Sequence, residues 1–155
     1  MRAASTIGGA IVALAAGLVA PAMAAPCHGT PTAYKLVVAA PNVHSDRGRI
    51  AVTIYGDDKH KFLKDEGEVQ SWFDPAHRGE TVICMWLPKP GDYAAVVYHD
   101  ANANGDLDTG LLGIPTEGYG FSNNVRPVLK APSFGSAKFT VAAGETHLQI
   151  RLNYP

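Results

Sequence analysis

TVICMWLPKPGDYAAVVYH, residues 81–99, decides the fold. Residues 81–87 are apolar and partly β-branched, and residues 92–99 repeat that character. Short apolar runs bounded by turn formers read as strands. The first run is apolar on both faces, which predicts a central strand. Between them, Pro88 and Pro90 stop one strand and stiffen the turn. Gly91 admits a backbone geometry that other residues avoid. Tyr93 enters the second strand, where its ring packs and its hydroxyl reaches a backbone group.

The hairpin Leu87-Pro88-Lys89-Pro90-Gly91-Asp92-Tyr93 resembles the L-P-x-G-x-Y hairpin of transthyretin-like and carboxypeptidase-regulatory-like sandwiches, with one extra residue. Outward from it the pattern repeats. Residues 34–39 are apolar and β-branched, and residues 49–55 alternate with Ile50, Val52 and Ile54 on one face. Residues 138–141 and 147–154 close the chain, the latter alternating as Leu148, Ile150 and Leu152. Turn signals at Asp46-Arg47-Gly48 and Ala143-Gly144-Glu145 separate these runs. Residues 57–77 are polar with scattered anchors, Phe62, Leu63, Trp72 and Phe73, and read as a loop with a short helix or turn. No long helical period is present. The expectation is an all-β fold: an antiparallel β-sandwich, transthyretin-like or Ig-like, with one long ordered loop.

That loop runs from residue 100 to 134 without a convincing strand, longer than ordinary connections in compact domains. Leu111, Leu112, Ile114, Tyr119 and Phe121 are its expected anchors. Its first part is Asp100-Ala101-Asn102-Ala103-Asn104-Gly105-Asp106-Leu107-Asp108. Oxygen-bearing side chains stand at positions one, three, five, seven and nine, with Gly105 at position six, where a calcium loop turns sharply. Asp100, Asn102, Asn104 and Asp108 would offer side-chain oxygens to a structural Ca2+, and Asp106 its carbonyl. Position twelve is Leu111 rather than the bidentate Glu of an EF-hand, and the residues before Asp100 read as strand. The expectation is therefore an EF-like loop on a sandwich, with Glu117 supplying the missing carboxylate. The competing reading is a metal-free turn, since Asp and Asn side chains also bond nearby backbone amides. The second part, residues 110–124, reads either as a self-packed Ω-loop or as a binding surface displaying Tyr119, Phe121, Ser122 and Asn123 beside Glu117.

These parts together are distinctive. H-D-x-N-x-N-G-x-x-D, then G-I-P-x-E-G-Y-G-F-S-N, then Ala131-Pro132-Ser133-Phe134, resemble the uncharacterised bacterial family DUF2141. The resemblance spans roughly residues 34–154. It implies a small periplasmic or secreted β-sandwich and supplies no established reaction.

The N-terminus sets the expected compartment. Arg2, an uncharged run over residues 7–19 and Ala22-Met23-Ala24 form a secretory signal pattern, with cleavage after Ala24. The run is too short to span a bilayer, which takes about 20 apolar residues. Residues 1–24 are thus a signal peptide, 25–33 a flexible leader and 34–155 a single domain, located in the periplasm or secreted. In such a compartment the two cysteines, Cys27 and Cys84, pair as a disulfide. The chain has 13 Lys and Arg against 14 Asp and Glu; without Arg2 the balance is 12 against 14, which argues against nucleic acid.

Catalysis finds little support. His99 and Asp100 are strand neighbours and point to opposite faces, and no G-x-S-x-G elbow is present. The expected role is a non-catalytic binding or interaction module whose partner is a cell-envelope protein, a glycan or a small molecule. The alternatives are a periplasmic small-molecule carrier, which needs a cavity between the sheets, and a hydrolase using Asp108 and Glu117.

Overall fold

The computed structural model describes residues 26–127 and 130–155. The signal pattern lies outside them. Among the described residues eight strands run in order: β1 (Tyr34–Val43), β2 (Arg49–Tyr55), β3 (Glu68–Pro75), β4 (Gly79–Trp86), β5 (Gly91–Asp100), β6 (Tyr119–Phe121), β7 (Phe139–Val141) and β8 (Gly144–Gln149). One short helix, α1 (Phe134–Ala137), precedes β7. The first sheet has the order β4-β1-β8, antiparallel at β1–β4 and parallel at β1–β8. The second has the order β3-β2-β5-β6, with β7 paired to the start of β5. The protein is an all-β sandwich.

The core explains the alternation. Leu36 and Val38 of β1, Ile50, Val52 and Ile54 of β2, Ile83 and Met85 of β4, and Val97 of β5 are buried between the sheets at 1% exposure or less. A second apolar cluster lies on the opposite face of the larger sheet. There Phe62, Phe121, Phe134 and Ala137 cover Ala94 and Val96, so β5 is buried on both faces. The β4–β5 hairpin is built as its residues suggest: the Tyr93 hydroxyl donates to the Lys89 carbonyl at 2.8 Å.

Four expectations need correction. First, β4 is an edge strand. Its outward residues are apolar for another reason: Cys84 is bonded to Cys27, and His28 pairs with the strand through two backbone bonds, to the Cys84 carbonyl and from the Trp86 amide. Residues 27–28 therefore shield that edge, and His28 stacks on Trp72 while donating to Asp74 at 2.8 Å. Second, residues 68–75 form β3. An edge strand with both faces half-covered shows no alternation to read. Third, β6 interrupts the long loop; three residues are too few for a period. Fourth, the last strand spans Gly144–Gln149 rather than 147–154. Ile150 and Leu152 still turn inward, because the tail leaves β1 and crosses to β6, where Asn153 pairs with Tyr119.

Candidate functional site

The long connection after β5 begins at a rigid point. Asp100 is fully buried, and its Oδ2 accepts from Arg49 Nε at 2.8 Å across the β2–β5 ladder. The same carboxylate accepts the Asn104 amide at 3.0 Å and the Gly105 amide at 2.9 Å. Burial pushes the Asp100 carboxyl up, but the bonds from Arg49, Gly105 and Asn104 and the Arg49 charge outweigh it and hold the group below the usual carboxylate range. Gly48 makes the close packing here feasible. It sits at φ +67°, and a Cβ would lie 2.0 Å from the Asp100 carbonyl. Tyr98 donates to the Gly105 carbonyl at 2.7 Å. Burial, then the charge of Asp100, pushes its hydroxyl up to about 12.

Glu117 is the second brace. Its two oxygens accept the Ala101 amide at 2.8 Å and the Asp108 amide at 3.1 Å, tying both ends of the oxygen-rich loop together. Between them, Asn102 and Asn104 accept in short turns from the amides of Asn104 and Asp106. Their side-chain amides donate to Asp108 at 2.7 and 2.9 Å. The structure therefore brings Asn102, Asn104 and Asp108 to one point and leaves Asp106 exposed. Asp100 and Glu117 are committed to amide and guanidinium donors. Among the described residues, no three His, Cys, Asp or Glu side chains converge in a metal-holding group.

The residues expected on a displayed surface behave differently. Phe121 is buried in the second apolar cluster and Tyr119 packs against it. Ser122 is fully buried; its Oγ accepts the Ala95 amide at 2.9 Å and donates to the Ala137 carbonyl. Asn123 is exposed but holds the carbonyls of Ser136 and Lys138. These four side chains assemble the loop. Of the residues expected as anchors, Tyr119 and Phe121 serve as such, whereas Leu111, Leu112 and Ile114 are displayed, at 86%, 88% and 60% exposure. They occupy a turn closed by bonds from the Gly110 amide to Ile114 and from the Thr116 amide to Asp108. Leu112 stands at φ +65°, a conformation that disfavours a side chain. Aliphatic identity alone predicted burial; only the flanking Gly110, Gly113 and Pro115 hinted at a projecting turn.

His99 is buried away from this face. Its Nε2 faces the Arg47 carbonyl, which only accepts, so Nε2 donates at 2.8 Å. Nδ1 then accepts from the Tyr154 hydroxyl at 2.9 Å. With His99 and Asp100 each occupied by structural partners, no nucleophile-activating pair forms there. A cleft of about 440 Å³ that no sequence motif marks is lined by Asp57, Lys61, Glu68, Pro90, Asp92 and Tyr93. Asp92 is held there by Lys138 and Thr140, whose bonds lower its carboxyl from the usual range.

No curated protein and no solved structure gives a significant match. The profile of a bacterial family described as "Uncharacterized protein conserved in bacteria (DUF2141)" matches residues 38–149, from within β1 to the end of β8. That span holds both sheets and the whole braced loop, and the chain belongs to this family.

Proposed function

We propose that this protein is an exported, non-catalytic binding module of the cell envelope, with residues 101–124 as its docking element. One observation carries the reading: Leu111, Leu112 and Ile114 project from a turn that the rest of the loop holds in place by hydrogen bonds. Scattered exposed leucines are ordinary, but a contiguous apolar projection on a braced polar frame marks an interaction site. Ordered loops on rigid sandwiches are the usual place for binding.

Export is supported by the signal pattern and by the Cys27–Cys84 disulfide, a bond favoured in oxidising compartments. Mass spectrometry of the mature protein should find Ala25 at its start. Among the described residues no helix is long and apolar enough to cross a membrane. The carrier alternative is less well supported, because apolar side chains occupy the space between the sheets and the described clefts lie at the surface. For the hydrolase alternative, both Glu117 oxygens are already engaged by amides.

Calcium belongs to the proposal in a narrower form than the sequence suggests. Asn102, Asn104 and Asp108 would hold the ion with the Asp106 carbonyl, and Asp100 and Glu117 would serve as braces. Turning the two amide groups by half a rotation would aim their oxygens at Asp108's position, at the cost of two short turns.

The test is photo-crosslinking in producing cells. A benzophenone amino acid at Leu111 should give discrete envelope adducts, and the same probe at exposed Val82 on β4 should not. Equal labelling from both positions, or none from Leu111, would remove the docking role.

A further inference from the structure

We infer that the docking element is a lipid anchor: Leu111, Leu112 and Ile114 insert into the boundary between headgroups and acyl chains of a bilayer. This rests on the binding-module reading and names its partner.

Three observations choose a lipid surface over a protein. The first is shape. Side chains exposed at 86% and 88% stand off the body of the molecule, as a wedge. A soft flat medium accepts a wedge, whereas a protein partner must supply a fitted socket. The second is size. A stable protein interface buries about 800 Å² per partner, roughly 20–30 residues, and three aliphatic side chains fall far short of that. Interfacial lipid binding requires only enough apolar area inserted a few ångströms deep. The third is residue type. Protein hot spots favour Trp, Tyr and Arg and under-use Leu, and the projecting turn has none of those three favoured types.

Charge specifies the lipid. Residues 101–125 contain no Lys or Arg and carry Asp106, Asp108 and Glu117. Attraction to anionic headgroups needs basic residues near the surface, so this element suits a zwitterionic surface. Binding should be insensitive to salt, since apolar insertion supplies it.

The experiment is flotation of the mature chain with phosphatidylcholine vesicles and, separately, with vesicles rich in phosphatidylglycerol. The wild-type chain is expected to float with the first at low and high salt alike, and less with the second. The L111D/I114D variant should lose at least tenfold in lipid affinity while melting near the wild-type temperature, because both side chains are mostly exposed. Failure of the wild-type chain to float with phosphatidylcholine, or equal flotation of the variant, would overturn the lipid assignment. The crosslinking at Leu111 separates the two levels of the reading. Specific protein adducts without vesicle binding would sink the anchor and keep the module; neither vesicle binding nor specific adducts to protein or lipid would end both.

Discussion

Asp100 is where the larger sheet's geometry is handed to the loop, and its energetics are testable. Its carboxylate meets one guanidinium and two backbone amides. Asp100→Asn keeps the shape but leaves Arg49 without its charge partner and turns one donor toward another. Breaking a buried pair in this way costs about 3–5 kcal/mol. The Arg49 side chain is 33% exposed and regains some water, so we expect about 2–3 kcal/mol, read as a lower urea midpoint at unchanged slope. The pH dependence follows from the lowered carboxyl. A depressed folded value means that the stability is fully present above the unfolded value of about 3.9 and is lost as pH falls through the lower folded value. The wild-type chain should therefore destabilise more steeply below pH 4 than Asp100→Asn. Parallel acid limbs for the two proteins would show that the pair contributes little.

The elements differ in how legible they were, and burial explains the difference. β2 was readable to the residue because Ile50, Val52 and Ile54 face the core. β3 was invisible because an edge strand with two half-covered faces carries no period. β4 was readable as a strand but not as an edge, because a disulfide and a paired leader make its outer face look buried. In the loop, the two bracing carboxylates were legible as oxygen donors, but Arg49, 51 residues away from Asp100, was not. The leader gives the second prediction. The disulfide joins positions 57 residues apart, for which chain entropy gives about 4 kcal/mol. Cys27→Ser/Cys84→Ser should lower the unfolding free energy by up to that amount and raise exchange of the two amides that pair the leader with β4, those of His28 and Trp86. Unchanged protection there would mean that His28 and Trp72 hold the edge alone. The third prediction belongs to the loop. If calcium takes Asn102, Asn104 and Asp108, millimolar calcium should raise the melting temperature of chelator-stripped protein and slow proteolysis near Leu112. An ion at a hundredfold excess over its dissociation constant stabilises by about 2.7 kcal/mol. Asp108→Ala should abolish the effect, and melting curves unmoved by calcium would leave the hydrogen-bonded turn as the whole account.

At the scale of the molecule, the two sheets are clasped by the last six residues as well as by their shared core. The Ile150 amide bonds to the Ala39 carbonyl of β1, and Asn42 brackets the Leu152 backbone at 2.8 and 2.9 Å. Asn153 then exchanges two backbone bonds with Tyr119 of β6, in the other sheet. Gly120 is needed for this approach, since a Cβ there would lie 2.4 Å from the Arg151 carbonyl. Tyr154 ends the clasp with its hydroxyl between His99 and the His44 amide and its ring stacked on His44. Deleting residues 150–155 exposes the core that Ile150 and Leu152 cover, at 0% and 3% exposure. Each such side chain contributes about 1.5–3 kcal/mol on burial, so the pair is worth about 3–6 kcal/mol. A domain of this size has about 5–15 kcal/mol in all. The lost bonds to β1 and β6 come on top, so the truncated chain should show no cooperative melting transition in near-ultraviolet circular dichroism. Tyr154→Phe separates covering from bonding. It keeps the ring and leaves the buried His99 nitrogen without its donor, a loss of about 1–3 kcal/mol with cooperative melting retained. A truncated chain that melts cooperatively near the wild-type temperature would mean that β1 and β6 hold together through β2 and β5 alone, and the tail would then be an ornament of the fold.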